Sequence, residues 1–251
     1  LLVLLPGHIG AGEADVSGLS QVRVAALTVQ AATRSLPGAS RAEIGLLEKW
    51  RAVRVRVGHE QRLMARCRVD PSDCASDTAT EFMAIVDAAR VREGRARIGE
   101  INRAINLAIR PVPDMRRYGA ADVWTAPLAT LAAGQGDCED YAIAKLGALW
   151  AAGVAESDTR LVIVHDDRTR EDHAIAMVRL DRRWLALDNK RFTLIEAVHL
   201  NYRPMFALGG NGVKSLTGPH GWAALDEDAS FALSATDEPG PSGFHSGPVL
   251  L

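Results

Sequence analysis

Three things are scarce in this chain, and each scarcity removes a class of function. Net charge is close to nil: 29 lysines and arginines stand against 31 aspartates and glutamates, leaving −2. That balance argues against a surface built to hold a polyanion, so no nucleic-acid partner is expected. The locally basic stretch from Arg51 to Arg68 reads as a solvated helix face. Long apolar runs are missing beyond the amino terminus, where nothing reaches the roughly 18 residues of a membrane-spanning helix, so no span is expected in the mature chain. Cysteine is rare, with 3 in 251 residues. A chain of this length, 47% hydrophobic and 24% charged, buries a full core without staples and is expected to form one main domain.

The three cysteines still divide unequally. Cys67 and Cys74 flank Asp70-Pro71-Ser72-Asp73, a turn-forming insert able to bring two sulfurs together, and no further ligands stand at metal-binding spacing around them. In an oxidising compartment the arithmetic is one disulfide and one free thiol, Cys138; in a reducing one, all three stay thiols. The amino terminus bears on this choice. Leu1-Leu2-Val3-Leu4-Leu5 is apolar, Pro6-Gly7 breaks it, and Gly12-Glu13-Ala14 offers the small residues that signal peptidase requires, so residues 1–14 read as the remainder of a secretory signal, with a short buried strand as the alternative. Residues 15–234 form the expected domain, and the Pro- and Gly-rich 235–251 a flexible tail.

The first half of that domain has helical patterning. Ser40-x-x-Glu43 and Thr78-x-x-Glu81 match the capping box, in which hydroxyl and carboxylate satisfy reciprocal backbone donors at a helix start. Phe82, Ile85, Val86 and Ala89 fall on one face, as do Ile98, Ile101, Ile105 and Ile109 before Pro111 and Pro113 stop the helix. Asn102 and Asn106 lie just off that stripe, placed either to tie the helix to a loop through their amides or to face solvent. Strand-like runs follow at Leu161-Val162-Ile163-Val164, from His173 to Val178, and from Trp184 to Asp188, with Arg182-Arg183 as a polar turn between the last two. Helices first and an antiparallel sheet later make the fold class α+β.

The chemistry concentrates in Gly136-Asp137-Cys138-Glu139-Asp140-Tyr141, where a turn feeds a helix. A thiol attacks only as thiolate, an imidazole must take and return its proton, and a carboxylate fixes the imidazole's tautomer. Cys138, His173 and Asp188 supply these three groups in chain order, as candidate nucleophile, base and orienting carboxylate. The competing base, His165, precedes Asp166-Asp167 and fits a surface turn; His8, His59, His199, His220 and His245 lack a strand-borne carboxylate. Asp137, Glu139 and Asp140 crowd the sulfur and favour the protonated thiol. A cation would remove that conflict, and hard oxygen ligands suit calcium; alternatively the acids complement the helix dipole, with Asp137 as N-cap.

Trp124-Thr125-Ala126-Pro127, the Cys138 segment with Lys145, the His173 strand and Leu187-Asp188-Asn189 together resemble the bacterial transglutaminase-like cysteine proteinases, the LapG group. Ile101-Asn102 with Asn106, and Asn201-Tyr202-Arg203-Pro204, also resemble that family's pattern, and the similarity runs from about Trp50 to Leu208. The resemblance implies a papain-like, transglutaminase-type fold and a periplasmic, calcium-dependent endopeptidase. Its implied substrate is the amino-terminal region of a large surface adhesin, cut at a paired-alanine site so that the adhesin is released and the biofilm disperses. Its implied regulator is an inner-membrane cyclic di-GMP receptor of the LapD type. A transglutaminase-type acyl transferase or a non-catalytic binding module are the alternatives.

Overall fold

The computed structural model describes residues 39–226, apart from 71, 73, 75 and 211. The expected leader over 1–14, the tail over 235–251, His8 and His245 lie outside the described residues.

A long helix α1 (Arg41–Val69) opens the described chain. Its start carries the expected capping box: Glu43 N–H donates to Ser40 Oγ, and Ser40 N–H donates to Glu43 Oε2 at 2.8 Å. The second box is not formed. Helix α2 (Asp77–Arg90) is capped by Ser76, whose extended backbone lets its Oγ accept from Ala79 N–H at 3.2 Å, so Thr78 lies inside the first turn. Cys67 and Cys74 are disulfide-bonded between the two helices. The basic face of α1 is exposed, as expected for a solvated helix face, with Arg56 donating to Trp124 O at 2.6 Å and Arg68 pairing with Asp87 at 2.8 Å.

Helix α3 (Gly94–Ala108) buries Ile98, Ile101 and Ile105, and Ile109 caps it with its side chain still in the core. The short strand β1 (Arg110–Pro111) and helices α4 (Asp114–Tyr118) and α5 (Pro127–Ala133) lead to β2 (Gln135–Gly136) and the central helix α6 (Cys138–Ala151). Every residue of α6 from Glu139 to Leu149 is buried. Gly147 permits this depth, since a Cβ there would sit 2.7 Å from Pro127 Cγ.

The second half is β3 (Thr159–Asp166), β4 (Glu171–Leu180), β5 (Arg183–Leu187), β6 (Ile195–Glu196), β7 (Arg203–Gly209) and β8 (Gly212–Ser215). They form an antiparallel sheet in the order β6-β5-β4-β3-β7-β8. The β4–β5 turn falls one residue earlier than expected, on Asp181 and Arg182, both with positive φ. Two consecutive left-handed residues match the strand twist of a two-residue hairpin, so Arg183 becomes the first residue of β5. Pleat alternation splits the core. Ala174, Ala176 and Val178 pack toward α6 and the helices, while Ile175, Met177, Trp184 and Ala186 pack toward Leu200, Tyr202 and the 3₁₀ turn Gly221–Asp226. The α+β reading therefore holds, with the sheet covered on both faces.

Candidate active site

Short β pairing assembles the acidic part of the site. β1 and β2 run in parallel, and Val112 N–H donates to Gly136 O at 2.9 Å. That pairing carries Asp114 to Asp137, whose Oδ2 accepts from Asp114 N–H at 3.3 Å. Gly136 is required here, because a Cβ would fall 2.7 Å from Asp140 Cβ. Asp137 holds the N-cap position of α6, yet its side chain makes no cap bond to the helix. It turns instead toward Asp114 and Asp140, and carboxylate oxygens of the three lie within 4.8 Å of one another.

The donor set of this cluster fits a hard cation. Asp140 is already tied, accepting from Thr125 N–H at 3.0 Å, Thr125 Oγ1 at 2.6 Å and Arg117 Nη1 at 2.7 Å. Among the described residues, Asp114 Oδ1 and Asp137 Oδ1 find no hydrogen-bond partner, although both are buried. Buried acceptors are normally satisfied, so two orphaned oxygens within a cluster of three carboxylates suit an oxygen-seeking ion such as calcium. Burial, reinforced by the charges of Asp114 and Asp140, pushes the Asp137 carboxyl up to about 6. Of the expected ligands, Asp137 and Asp140 thus come together, Asp114 joins them, and Glu139 lies outside the group.

Glu139 faces the thiol. Cys138 Sγ donates to Glu139 Oε2 at 3.2 Å. Burial and then the Asp137 charge push Glu139 up to about 8, so it keeps its proton at neutral pH. Burial first, and Glu139 second, also push the Cys138 thiol far up, although the Ala174 N–H opposes this by donating toward the sulfur. Among the described residues Cys138 is the free cysteine.

His173 and Asp188 meet at the end of β5. β4 and β5 pair Ala176 with Leu187, so Asp188 emerges just past the end of β5 and beside His173. His173 Nε2 lies 2.9 Å from Asp188 Oδ1, with both side chains almost wholly buried. Burial alone would raise Asp188; the hydrogen bond and charge of His173, with Lys190 N–H and Tyr202, outweigh it and hold the carboxyl at about 2. Tyr202 OH donates to Asp188 Oδ2 at 2.9 Å, and the Tyr202 ring meets His173 edge-on at 5.7 Å. Asn106 and Asn102 are the tie from α3: Asn106 Nδ2 donates to Asp188 O and Arg191 O, each at 3.0 Å, and fully buried Asn102 donates to Arg191 O and Phe192 O. Lys145, also fully buried, donates to Leu187 O at 3.2 Å, and burial pushes it down to about 7.

Cys138, Glu139, His173 and Ala174 line one cavity of about 510 Å³, together with Trp124, Ile163, Met205, Phe206 and the first turns of α1. His165 is not part of it; its Nδ1 pairs with exposed Asp172 at 2.7 Å.

The model of the bacterial transglutaminase-like cysteine proteinases matches residues 57–228, more than half of the chain. The chain belongs to that family. Among solved structures, LapG of Legionella pneumophila is 22% identical with a TM-score of 0.51, covering 67% of this chain and 94% of LapG. A calcium-bound form of the same LapG is 21% identical with a TM-score of 0.50, over 68% of this chain and 97% of that one. An EGTA-treated form gives 21% and 0.50, over 63% and 84%. No curated protein matches the sequence. At such identities the likeness shows the fold, an α+β arrangement shared with LapG. Membership in a family of cysteine proteinases makes the cavity around the free thiol the candidate active site. No helix among the described residues is long and apolar enough to cross a membrane.

Proposed function

We propose that this chain is a calcium-dependent cysteine endopeptidase in which Cys138 is the nucleophile, His173 the general base and acid, and Asp188 the orienting carboxylate. The observation that carries the reading is the buried His173–Asp188 pair at 2.9 Å, opening onto the cavity that holds the free thiol. With Nε2 engaged by Asp188, His173 has Nδ1 left to accept the thiol proton. The sulfur then attacks the scissile carbonyl, and the imidazolium returns the proton to the leaving amine as the C–N bond breaks. Water deprotonated by the same nitrogen cleaves the thioester and restores the thiol. Asp188, held ionised by His173 and Tyr202, stabilises the imidazolium throughout.

Asp114, Asp137 and Asp140 would hold the calcium, with Glu139 at the edge of the site. Bound there, the ion would supply positive charge that offsets the carboxylates opposing a thiolate at Cys138. The calcium-bound and EGTA-treated forms of Legionella LapG support calcium as the ion. The family reading extends to the amino-terminal region of a large surface adhesin as substrate, a paired-alanine cut, control of biofilm release, a LapD-type cyclic di-GMP receptor as partner and a periplasmic location. The Cys67–Cys74 disulfide supports export. The test is incubation of the purified chain with adhesin amino-terminal fragments from its own source, with calcium or with EGTA, read by mass spectrometry. A new amino terminus formed only with calcium, and only by protein with Cys138 intact, is the expected result. Products carrying an added amine instead would make the chain an acyl transferase, and no product with a retained adhesin would make it a binding module.

A further inference from the structure

One wall of the cavity comes from outside the region that matches the family. Arg41, Ala42, Gly45, Leu46 and Lys49 of α1 all line it, and all precede residue 57, where the family match begins. Their spacing puts them on one helical face, which shares the cavity with Cys138 and His173. Three contacts hold this part of α1 in place. Lys49 pairs with Asp122, Trp50 Nε1 donates to Gly210 O at 3.0 Å, and Arg54 pairs with Glu156 at 2.5 Å. The Met205–Phe206 segment of β7 lines the same cleft.

Gly45 is the informative residue of that wall. A glycine inside a helix is disfavoured relative to alanine, so it calls for a reason in packing or function. Packing supplies none: a Cβ at Gly45 meets nothing within 4 Å, whereas at Gly136, Gly147 and Gly209 it would lie 2.7 Å from a neighbour. Gly45 lines the cavity, and the space around its Cβ position is open. Helical Gly58 and Gly99 are also uncrowded, but neither lines this cleft.

We propose that the first turns of α1 form the substrate-binding wall of the cleft, with Gly45 leaving the width through which an extended polypeptide passes Cys138 and Leu46 offering it an apolar contact. This rests on the endopeptidase reading. The experiment compares the parent chain with Gly45→Leu and Gly45→Ala, all with calcium present. Two rates are measured: alkylation of Cys138 by iodoacetamide, which is too small to need the wall, and cleavage of an adhesin fragment and an amine-blocked proteome-derived peptide library, read as new amino termini. Gly45→Leu is expected to alkylate within about twofold of the parent, while its kcat/KM for cleavage falls tenfold or more, mainly through KM, and the set of peptides it cuts narrows. Gly45→Ala is expected to fall between the two, with a Tm at or above the parent's, and it decides the matter should the leucine variant misfold. Cleavage of the same peptides at parental rates by either folded variant that decides the test overturns the proposal. A parent whose Cys138 alkylates but that releases no new termini overturns the endopeptidase reading, and this inference with it.

Discussion

Replacing Lys145 by methionine should make the protein more stable and less active. The lysine lies in α6 two turns beyond Cys138, fully buried, with its ammonium donating to Leu187 O at 3.2 Å and lying 5.7 Å from the Tyr141 ring centre. Burial pushes it from 10.5 down to about 7, against the pull of Asp188. The gap of 10.5 − 7, about 3.5 units, corresponds at about 1.4 kcal/mol per unit to a ceiling of ~5 kcal/mol for holding the charge inside the fold. The folded value lies below the unfolded one, so the unfolded chain binds more protons between about pH 7 and 10.5. Stability arising from this group therefore rises with pH across that window and is lowest, and flat, below it.

Methionine keeps the length of the side chain and removes the charge. Asp188 would keep His173, Tyr202 and the Lys190 N–H, so the substitution strands no buried partner charge. A gain on the order of 1–4 kcal/mol at pH 6–7 is expected, as when buried ionic groups are replaced by apolar ones of similar volume. Urea denaturation at pH 6, 7, 8 and 9, followed by circular dichroism, measures it. The parent's stability should climb with pH and the variant's should climb less, the two curves converging at the alkaline end. Cleavage should fall about tenfold, because Leu187 loses the anchor that fixes the residue before Asp188. A Lys145→Met protein less stable than the parent at pH 6–7 would refute the reasoning, and would mean that the ammonium's local bonds outweigh its desolvation.

Cys138→Ala should abolish cleavage with the fold intact, and Asp188→Asn should lower kcat by roughly 10²–10⁴, as expected when the imidazole loses its orienting anion; parental turnover in a folded Cys138→Ala protein would end the mechanism. Asp114→Asn should weaken calcium binding, measured by titration calorimetry, at least as much as Glu139→Gln does, because Asp114 holds one of the orphaned buried oxygens and Glu139 turns to the thiol. Free-thiol counting on denatured, unreduced protein should find only Cys138, and reduction should cost about 2 kcal/mol, the low end expected for so short a loop. Three reactive thiols would contradict the disulfide.

What the sequence made legible follows from which interactions are local. Strand alternation through His173–Val178, the isoleucine stripe of α3 and the Ser40 capping box are written within a few residues of one another, and each is found in place. The Thr78 box failed within the same short range, because Ser76 lies two residues upstream with an extended backbone and reaches the Ala79 N–H first. Sequence patterns record which groups are able to cap, and the chain direction entering the helix decides which one does.

The acidic cluster shows the opposite limit. Asp137, Glu139 and Asp140 are adjacent in sequence, so all three are natural candidates for one ion. A helix, however, points consecutive side chains about 100° apart, and the middle residue is swung toward Cys138 while its neighbours face the loop. The third carboxylate arrives from Asp114, brought by a two-residue parallel pairing that has no sequence signature of its own. Tyr202 reaches Asp188 in the same way, across the sheet. The acids therefore divide: Asp114, Asp137 and Asp140 cluster, with orphaned oxygens on the first two, while Glu139 accepts from the sulfur. Asp137 bears on both, because its charge adds to burial in raising Glu139 and, behind Glu139 itself, in raising Cys138.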